Sequence, residues 1–213
     1  MPLELIGIAI VFPIVFSIGR AFQRRESALV ELADFQANLI GHYFAHRDWP
    51  DSPRHEQAKR PKSLSGSLCA AVRAELRAPG ESNRERVYDA FSDLSKSLET
   101  LRREAGLASS DLAHANQYLK LAIANFEEMR NIAIYRTPRS FRSFTKIFLM
   151  TFAILFGPYL AYVSESSVPV VGYLVAIVYS LVPVGLDGIQ EDLENPYDGI
   201  GSDDIDFGEG FEL

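Results

Sequence analysis

Three large apolar side chains near the start of the sequence have a spacing that suits the lining of a pore. Ile8, Phe12 and Phe16 follow one another at intervals of four, which places them on one face of a helix. Several copies of such a helix around an axis would stack rings of Ile and Phe into a constriction that gates ions by dewetting. The partly positive edges of Phe rings can face a dehydrated anion. The same spacing is also typical of a helix that packs its apolar side into a bundle.

Two other groups of side chains have the chemistry of metal ligands. His42 and His46 are four residues apart, but no third ligand and no zincin glutamate accompanies them, so an interfacial or solvent-facing helix surface is the favoured interpretation. Asp203 and Asp204 lie in an acidic tail, and calcium prefers oxygen ligands of this kind. The tail does not have the EF-hand spacing, and a solvated acidic tail would have the same composition.

The sequence contains no arrangement of residues that is typical of catalysis. It has neither a Gly-rich phosphate-binding loop nor a Gly-x-Ser-x-Gly elbow, so we expect a protein that is not an enzyme and needs no cofactor. Cys69 is the single cysteine, which excludes an intrachain disulfide and favours a small buried side chain over a reactive thiol. The net charge of −7 argues against a nucleic-acid partner.

Two uncharged apolar runs predict that the chain is an integral membrane protein. Residues 147–163 and 168–186 are each close to the roughly 20 residues that a spanning helix needs, and only the four residues SESS follow the first run before Val168. Lys146 is the last basic residue, and several Arg residues precede it. Because basic residues that flank a span stay in the cytoplasm, we expect a membrane hairpin with residues 20–146 and the acidic tail on the cytoplasmic side.

The rest of the pattern predicts an all-α protein with a helical cytoplasmic body. Apolar spacings of three and four indicate one long helix over residues 2–45, a short one over 66–78 and a third over 83–105 that ends at Gly106. The Pro-rich and charged stretch 46–63 is predicted to be a loop, and Ser109 or Ser110 to cap a fourth helix. The predicted domains are a pore-lining helix, a cytoplasmic helical domain, a transmembrane hairpin and an acidic tail, over residues 1–19, 20–145, 146–186 and 187–213.

Three stretches of the sequence together resemble the bestrophin family of anion channels, in the style of its bacterial and plant members. PLELIGIAIVFPIVFSIGRAFQRRESA is similar to the second transmembrane helix of the family, and TPRSFRSFTKIFLMTFAILFGPYL to the entry into the third. GLDGIQEDLENPYDGIGSDDI is similar to the segment that follows the last transmembrane helix. The order and separation of the three stretches also match.

This resemblance implies a homopentamer that surrounds one central pore for chloride or other small anions and contacts membrane lipid. Ile8, Phe12 and Phe16 fall on the positions of the family's neck, and Arg139 on its lower aperture. Family members usually have an apolar residue at that aperture, so Arg139 is expected to add positive potential there, together with Arg20.

The sequence departs from the family pattern in two other respects. The tail is shifted relative to the calcium clasp of animal members, with Asp203 and Asp204 the nearest candidates for that site. Met1 falls just ahead of the neck, so the family's first transmembrane helix has no counterpart in this sequence. A non-conducting, membrane-anchored scaffold or regulatory subunit therefore stands as the alternative function, and a divalent-cation sensor as a third.

Overall fold

The chain is helical wherever the structure, a computed structural model, describes regular secondary structure. Four helices have defined bounds: α1 Leu3–Asp48, α2 His55–Arg77, α3 Glu81–Ala105 and α4 Ser109–Ile134. No strand occurs among the described residues, which confirms the all-α prediction. These are residues 3–50, 55–135, 184–190, 192–200, 204, 205 and 207, with the single positions 143, 147, 154, 177 and 181.

The chain divides into two compact units. The first comprises residues 1–25 and 136–195, and the second residues 26–135 and 196–213. In the first unit, residues 184–190 and 192–194 are helical. Hydropathy identifies no membrane-spanning helix within the residues that the structure describes. Most of the predicted hairpin lies outside those residues.

Helix α1 has the extent that its apolar spacing predicts, and its buried face follows that spacing closely. Leu32 and Leu39 are buried as expected, whereas Leu29 and Tyr43 are half-buried. Steps of four and three connect the buried positions, so they form one stripe along the helix. The stripe consists of Ala28, Leu32, Phe35, Leu39, His42 and His46.

Helix α2 begins well before the position that the sequence predicts. The stretch 46–63 is only partly a loop, because α2 starts at His55 and contains Pro61. A proline inside a helix lacks one backbone donor and normally weakens the helix. Here Pro61 is buried and begins the apolar stripe that Leu68 and Val72 continue, so packing on the bundle favours the helix in spite of the proline.

Helices α3 and α4 agree with the predicted bounds, although the cap of α4 differs from the prediction. Gly106 ends α3 in the left-handed conformation, with φ of 64°, as the sequence predicts. The N-cap of α4 is Ala108, which makes no side-chain cap hydrogen bond, so the prediction of a Ser109 or Ser110 cap was wrong. Burial of Leu119 and Phe126 positions this helix without a cap.

The core of the second unit lies where α1, α2, α3 and α4 meet. Leu94 and Phe126 are fully or almost fully buried there, with Leu39 and Leu68. A buried ion pair also joins two of the helices, since Nε of Arg130 on α4 lies 2.9 Å from Oε1 of Glu75 on α2. The second carboxylate oxygen of Glu75 accepts the backbone N–H of the α3 N-cap residue at 3.0 Å.

Tyr197, Ile205 and Phe207 of the acidic tail pack on this core. Tyr197 is 1% exposed, and its hydroxyl donates to the Ala28 carbonyl at 3.0 Å. The backbone N–H of Ile205 donates to the Pro196 carbonyl at 2.8 Å, which folds the tail back on itself. The Tyr197 ring also stacks 5.6 Å from that of Phe207. A fully solvated tail is therefore the wrong description of residues 196–207 where the structure describes them.

Candidate functional site

The predicted neck residues all belong to α1, and the side chain of one of them is described. Phe16 is 52% exposed, as a residue that faces a conduit or a second subunit would be in an isolated chain. Ile8 and Phe12 lie in the same helix, but their side chains are outside the described part of the structure. The role of all three in a neck remains a prediction.

Helix α1 carries exposed apolar side chains in each of the two units. In the first unit it presents Val15 and Phe22, which are 57% and 53% exposed, and Gly19. In the second unit Val30 is 57% exposed. Steps of four and three also connect these positions, so a helix of about 3.6 residues per turn places them on one side. The exposed positions with these steps are Val15, Gly19 and Phe22 in the first unit and, after the charged Glu26, Val30, Ala33 and Ala37 in the second.

The charged residues of the predicted site are described only in part. Arg20 is exposed on α1, next to the end of the predicted neck. Arg139 and Asp203 lie outside the described residues. Asp204 is half-buried in the folded-back tail. Within the described part of the chain, no group of three or more His, Cys, Asp or Glu side chains is placed to hold a metal ion.

His42 and His46, the other candidate ligands, form a buried pair between α1 and α3. They are 0% and 3% exposed, and their ring centroids are 4.5 Å apart. Of the two alternatives for this pair, the interfacial one therefore agrees with the structure and the solvent-facing one does not. Burial, followed by the nearby charge of His46, lowers the pKa of His42 from its usual 6.5 to about 3. Burial also lowers the pKa of His46, against a smaller opposite effect of its hydrogen bonds.

The pattern that predicts the core of α1 also extends to these two histidines. They continue the four–three spacing that starts at Ala28 and passes through Leu32, Phe35 and Leu39. The sequence left two alternatives for them, an interfacial or a solvent-facing surface of the helix. Their spacing along the helix continues that of the buried residues, so it could have predicted that they are buried.

Cys69, the other residue with reactive potential, lies in an environment that keeps its thiol protonated. Its thiol is half-buried on α2, and burial raises its pKa to about 12. The thiolate is the reactive form of cysteine, so this environment suppresses nucleophilic chemistry. The result agrees with the interpretation of Cys69 as a packing residue.

Solved structures with the same fold were found by comparison. The chain matches a bacterial bestrophin homolog from Klebsiella pneumoniae with a TM-score of 0.82 and 16% identity, over 97% of this chain and 81% of that one. Two further point variants of a Klebsiella pneumoniae bestrophin homolog match at TM-scores of 0.78 and 0.81, with 17% and 16% identity. These cover 97% of this chain and 82% and 81% of theirs. No protein-family model and no curated protein matches the sequence. The chain therefore has a bestrophin-like fold.

Proposed function

We propose that this chain is a member of the bestrophin family and forms a pentameric membrane channel for chloride or other small anions. The observation that carries the proposal is the bestrophin-like fold, which covers 97% of the chain. The three sequence stretches that resemble the family support it, because they occur in the same order as in the family. A membrane location, the absence of enzymatic activity and the absence of a nucleic-acid partner follow from the same assignment.

The exposed apolar side chains of α1 support assembly around a shared axis. Val15, Phe16 and Phe22 leave more than half of their surface exposed in the single chain. Exposed apolar side chains this close together mark a site of contact with another protein, with lipid or with a pore. Five copies of α1 around one axis would cover much of this surface and turn Ile8, Phe12 and Phe16 toward the conduit.

Exposed apolar side chains in the second half of the chain support contact with lipid. Ile177, Leu181 and Val184 are 59%, 69% and 71% exposed, and their steps of four and three are those of one helical face. Ile147 and Ile154, seven residues apart, are 65% and 73% exposed. These positions belong to the two predicted transmembrane runs, where lipid would cover them.

Positive charge would attract the anions toward the neck. Arg20 would lie one turn beyond Phe16, and five copies of Arg139 would surround the lower aperture. A ring of basic side chains in a confined space raises the local concentration of anions. In this mechanism the apolar rings control wetting of the pore, and the basic rings favour anions over cations.

The proposal is tested by measuring the mass of the detergent-solubilised protein and its chloride flux in liposomes. We expect a pentamer that releases chloride, with no loss of flux when a calcium chelator is present. A monomer, or a pentamer without flux, would instead indicate the membrane-anchored scaffold or regulatory subunit. Flux that disappears with the chelator and returns with calcium would assign the tail to a cation site.

Two phenylalanines of α1 give a matched pair of variants. Phe16 and Phe22 have nearly equal exposure, 52% and 53%, but lie about 120° apart around the helix. Phe16→Ala should widen the neck and raise the flux several-fold, whereas Phe22→Ala should leave the flux of the assembled pentamer near that of the wild type. Equal effects of the two substitutions would contradict the placement of Phe16 in the neck.

A further inference from the structure

Both ring nitrogens of His46 have hydrogen-bond partners, in contrast to those of His42. Nδ1 of His46 lies 3.0 Å from the carbonyl oxygen of His42, and its Nε2 lies 3.1 Å from Oγ of Ser97. The Ser97 hydroxyl donates to the Leu94 carbonyl at 2.6 Å. Because a carbonyl oxygen only accepts, the contacts at Nδ1 and at Leu94 each need a proton. A neutral His46 that donates from Nδ1 accepts at Nε2 from Ser97, whose hydroxyl then does not donate to Leu94. A doubly protonated His46 donates at both nitrogens, and Ser97 then keeps its bond to Leu94.

The ring of His42, unlike that of His46, has no hydrogen-bond partner among the described residues that would stabilise a proton. Burial and then the charge of His46 lower its pKa, against a smaller opposite effect of the Leu94 backbone, which lies outside hydrogen-bond geometry. Two imidazolium rings with centroids 4.5 Å apart would also repel each other. The pair therefore accommodates one proton, and His46 is the residue with the bonds to hold it.

The surroundings contain no described carboxylate that would compensate this charge. From α3 the cluster meets Leu94 and Ser97, and among the described residues His46 is the one titratable group whose charge influences His42. No carboxylate or cation of α2, α3 or α4 in the described chain influences the pKa of His46. The charged groups that adjoin the cluster in sequence pair with one another at the surface, Arg47 with Asp48 on α1 and Arg102 with Glu99 on α3.

We propose that the buried cluster of His42, His46 and Ser97 is a pH-sensitive switch that takes up one proton, at His46, and thereby loosens the end of α1 from α3. The loosened state binds the proton more strongly because its imidazolium is hydrated, so acidification favours that state. The hydrogen bonds to His42 and Ser97 decide which ring is charged, and burial without a counter-ion decides that the charge opposes packing. The switch acts within the second unit and exists whether or not the assembled protein conducts.

Hydrogen exchange of the full chain in detergent, measured at several pH values and corrected for intrinsic exchange rates, tests the switch. We expect opening of residues 39–48 and 94–101 to increase by up to about tenfold per pH unit below about pH 6.5, as uptake of one proton requires. Residues 68–76 of α2 should not show this increase. Opening that does not depend on pH, or that increases equally in all three segments, would overturn the proposal.

Two variants test whether the pH dependence of hydrogen exchange comes from the buried pair or from His114, the exposed histidine of α4. The double variant His42→Leu/His46→Gln should lose the pH dependence, since neither replacement titrates in this range. His114→Gln, in which an exposed histidine is replaced, should keep it. Persistence of the pH dependence in the double variant would overturn the assignment.

NMR of the histidine rings in the wild-type chain measures their protonation directly, so it does not require that the variants fold. We expect one buried ring to become protonated at both nitrogens below the usual pH range of histidine, while the other stays neutral. Two buried rings that titrate together near pH 6.5, or that both remain neutral until the chain unfolds, would contradict a one-proton switch.

Discussion

At the scale of single residues, Glu75 and Arg130 connect three helices through one buried carboxylate. The Glu75 side chain is fully buried and that of Arg130 is 20% exposed, so this pair is shielded from water far more than the surface pair of Lys96 and Asp93. Removal of one partner from a buried pair leaves an uncompensated charge, whereas loss of an exposed pair has little effect.

Arg130→Met should therefore lower the free energy of unfolding by about 3 kcal/mol or more, because it leaves the Glu75 carboxylate buried without its cation. Lys96→Ala is the matched control and should cost about 0.5 kcal/mol or less. Chemical unfolding of the two variants measures both values. Glu75→Gln/Arg130→Met should recover part of the loss, and equal stability of all three variants would show that the ion pair is not structural.

His42 makes the stability of the bundle depend on pH, with a direction that follows from its burial. Folding lowers its pKa to about 3, so below about pH 6.5 the unfolded chain binds more protons than the folded chain. The free energy of unfolding should thus be constant above this pH and fall by about 2 kcal/mol by about pH 5. His42→Leu should make this fall smaller, with the contribution of His46 remaining, and should not lower the stability at pH 7.5, since it replaces a polar ring that lacks a partner among the described residues. The account would be contradicted if the free energy of unfolding of His42→Leu fell with acid as much as that of the wild type.

At the scale of helices, the extent of elements was predictable where apolar periodicity decided it. The stripe of α1 and the seam of α3 follow regular steps, and Gly106 ends α3 as predicted. The start of α2 was not predictable from composition, because burial of Pro61 outweighs the local preference of a Pro-rich, charged stretch. The environment of His42 was predictable from its register but not from its residue type.

The close approach of α1 and α4 depends on a glycine. A Cβ atom at Gly41 would lie 2.9 Å from Cδ1 of the Tyr118 ring, closer than real side-chain contacts allow, whereas one at Gly66 on α2 would meet nothing within 4 Å. Gly66→Ala should raise the free energy of unfolding by about 0.5–1 kcal/mol through helix propensity. Gly41→Ala should gain nothing or lower the stability, because Tyr118 must move. Equal stabilisation in thermal unfolding would show that Tyr118 gives way freely.

At the scale of the whole molecule, Arg139 separates this chain from the usual pattern of the family it resembles. If five such residues surround an aperture, Arg139→Ile should lower single-channel chloride conductance, because the local anion concentration falls with the positive charge. Arg20→Gln tests the second basic ring in the same recording, and Arg47→Gln at the other end of α1 serves as the control. Conductance and selectivity that remain unchanged in Arg139→Ile would defeat the proposed role of this residue.

The fold of the whole chain could be predicted from a resemblance in three short stretches, and the structural comparison confirms it. The arrangement of subunits follows from neither the sequence nor a single chain, because the exposed apolar side chains of α1 would serve equally well against lipid, a second copy or a pore. The function therefore depends on what covers Val15, Phe16 and Phe22.

The most direct measurement is a cryo-electron microscopy structure of the assembled protein in lipid nanodiscs. The account predicts five chains around one axis, with the N-terminal part of α1 beside a continuous conduit and Ile8, Phe12 and Phe16 forming its narrowest rings. A structure in which these three side chains pack against neighbouring helices or lipid, with no conduit next to them, would contradict it.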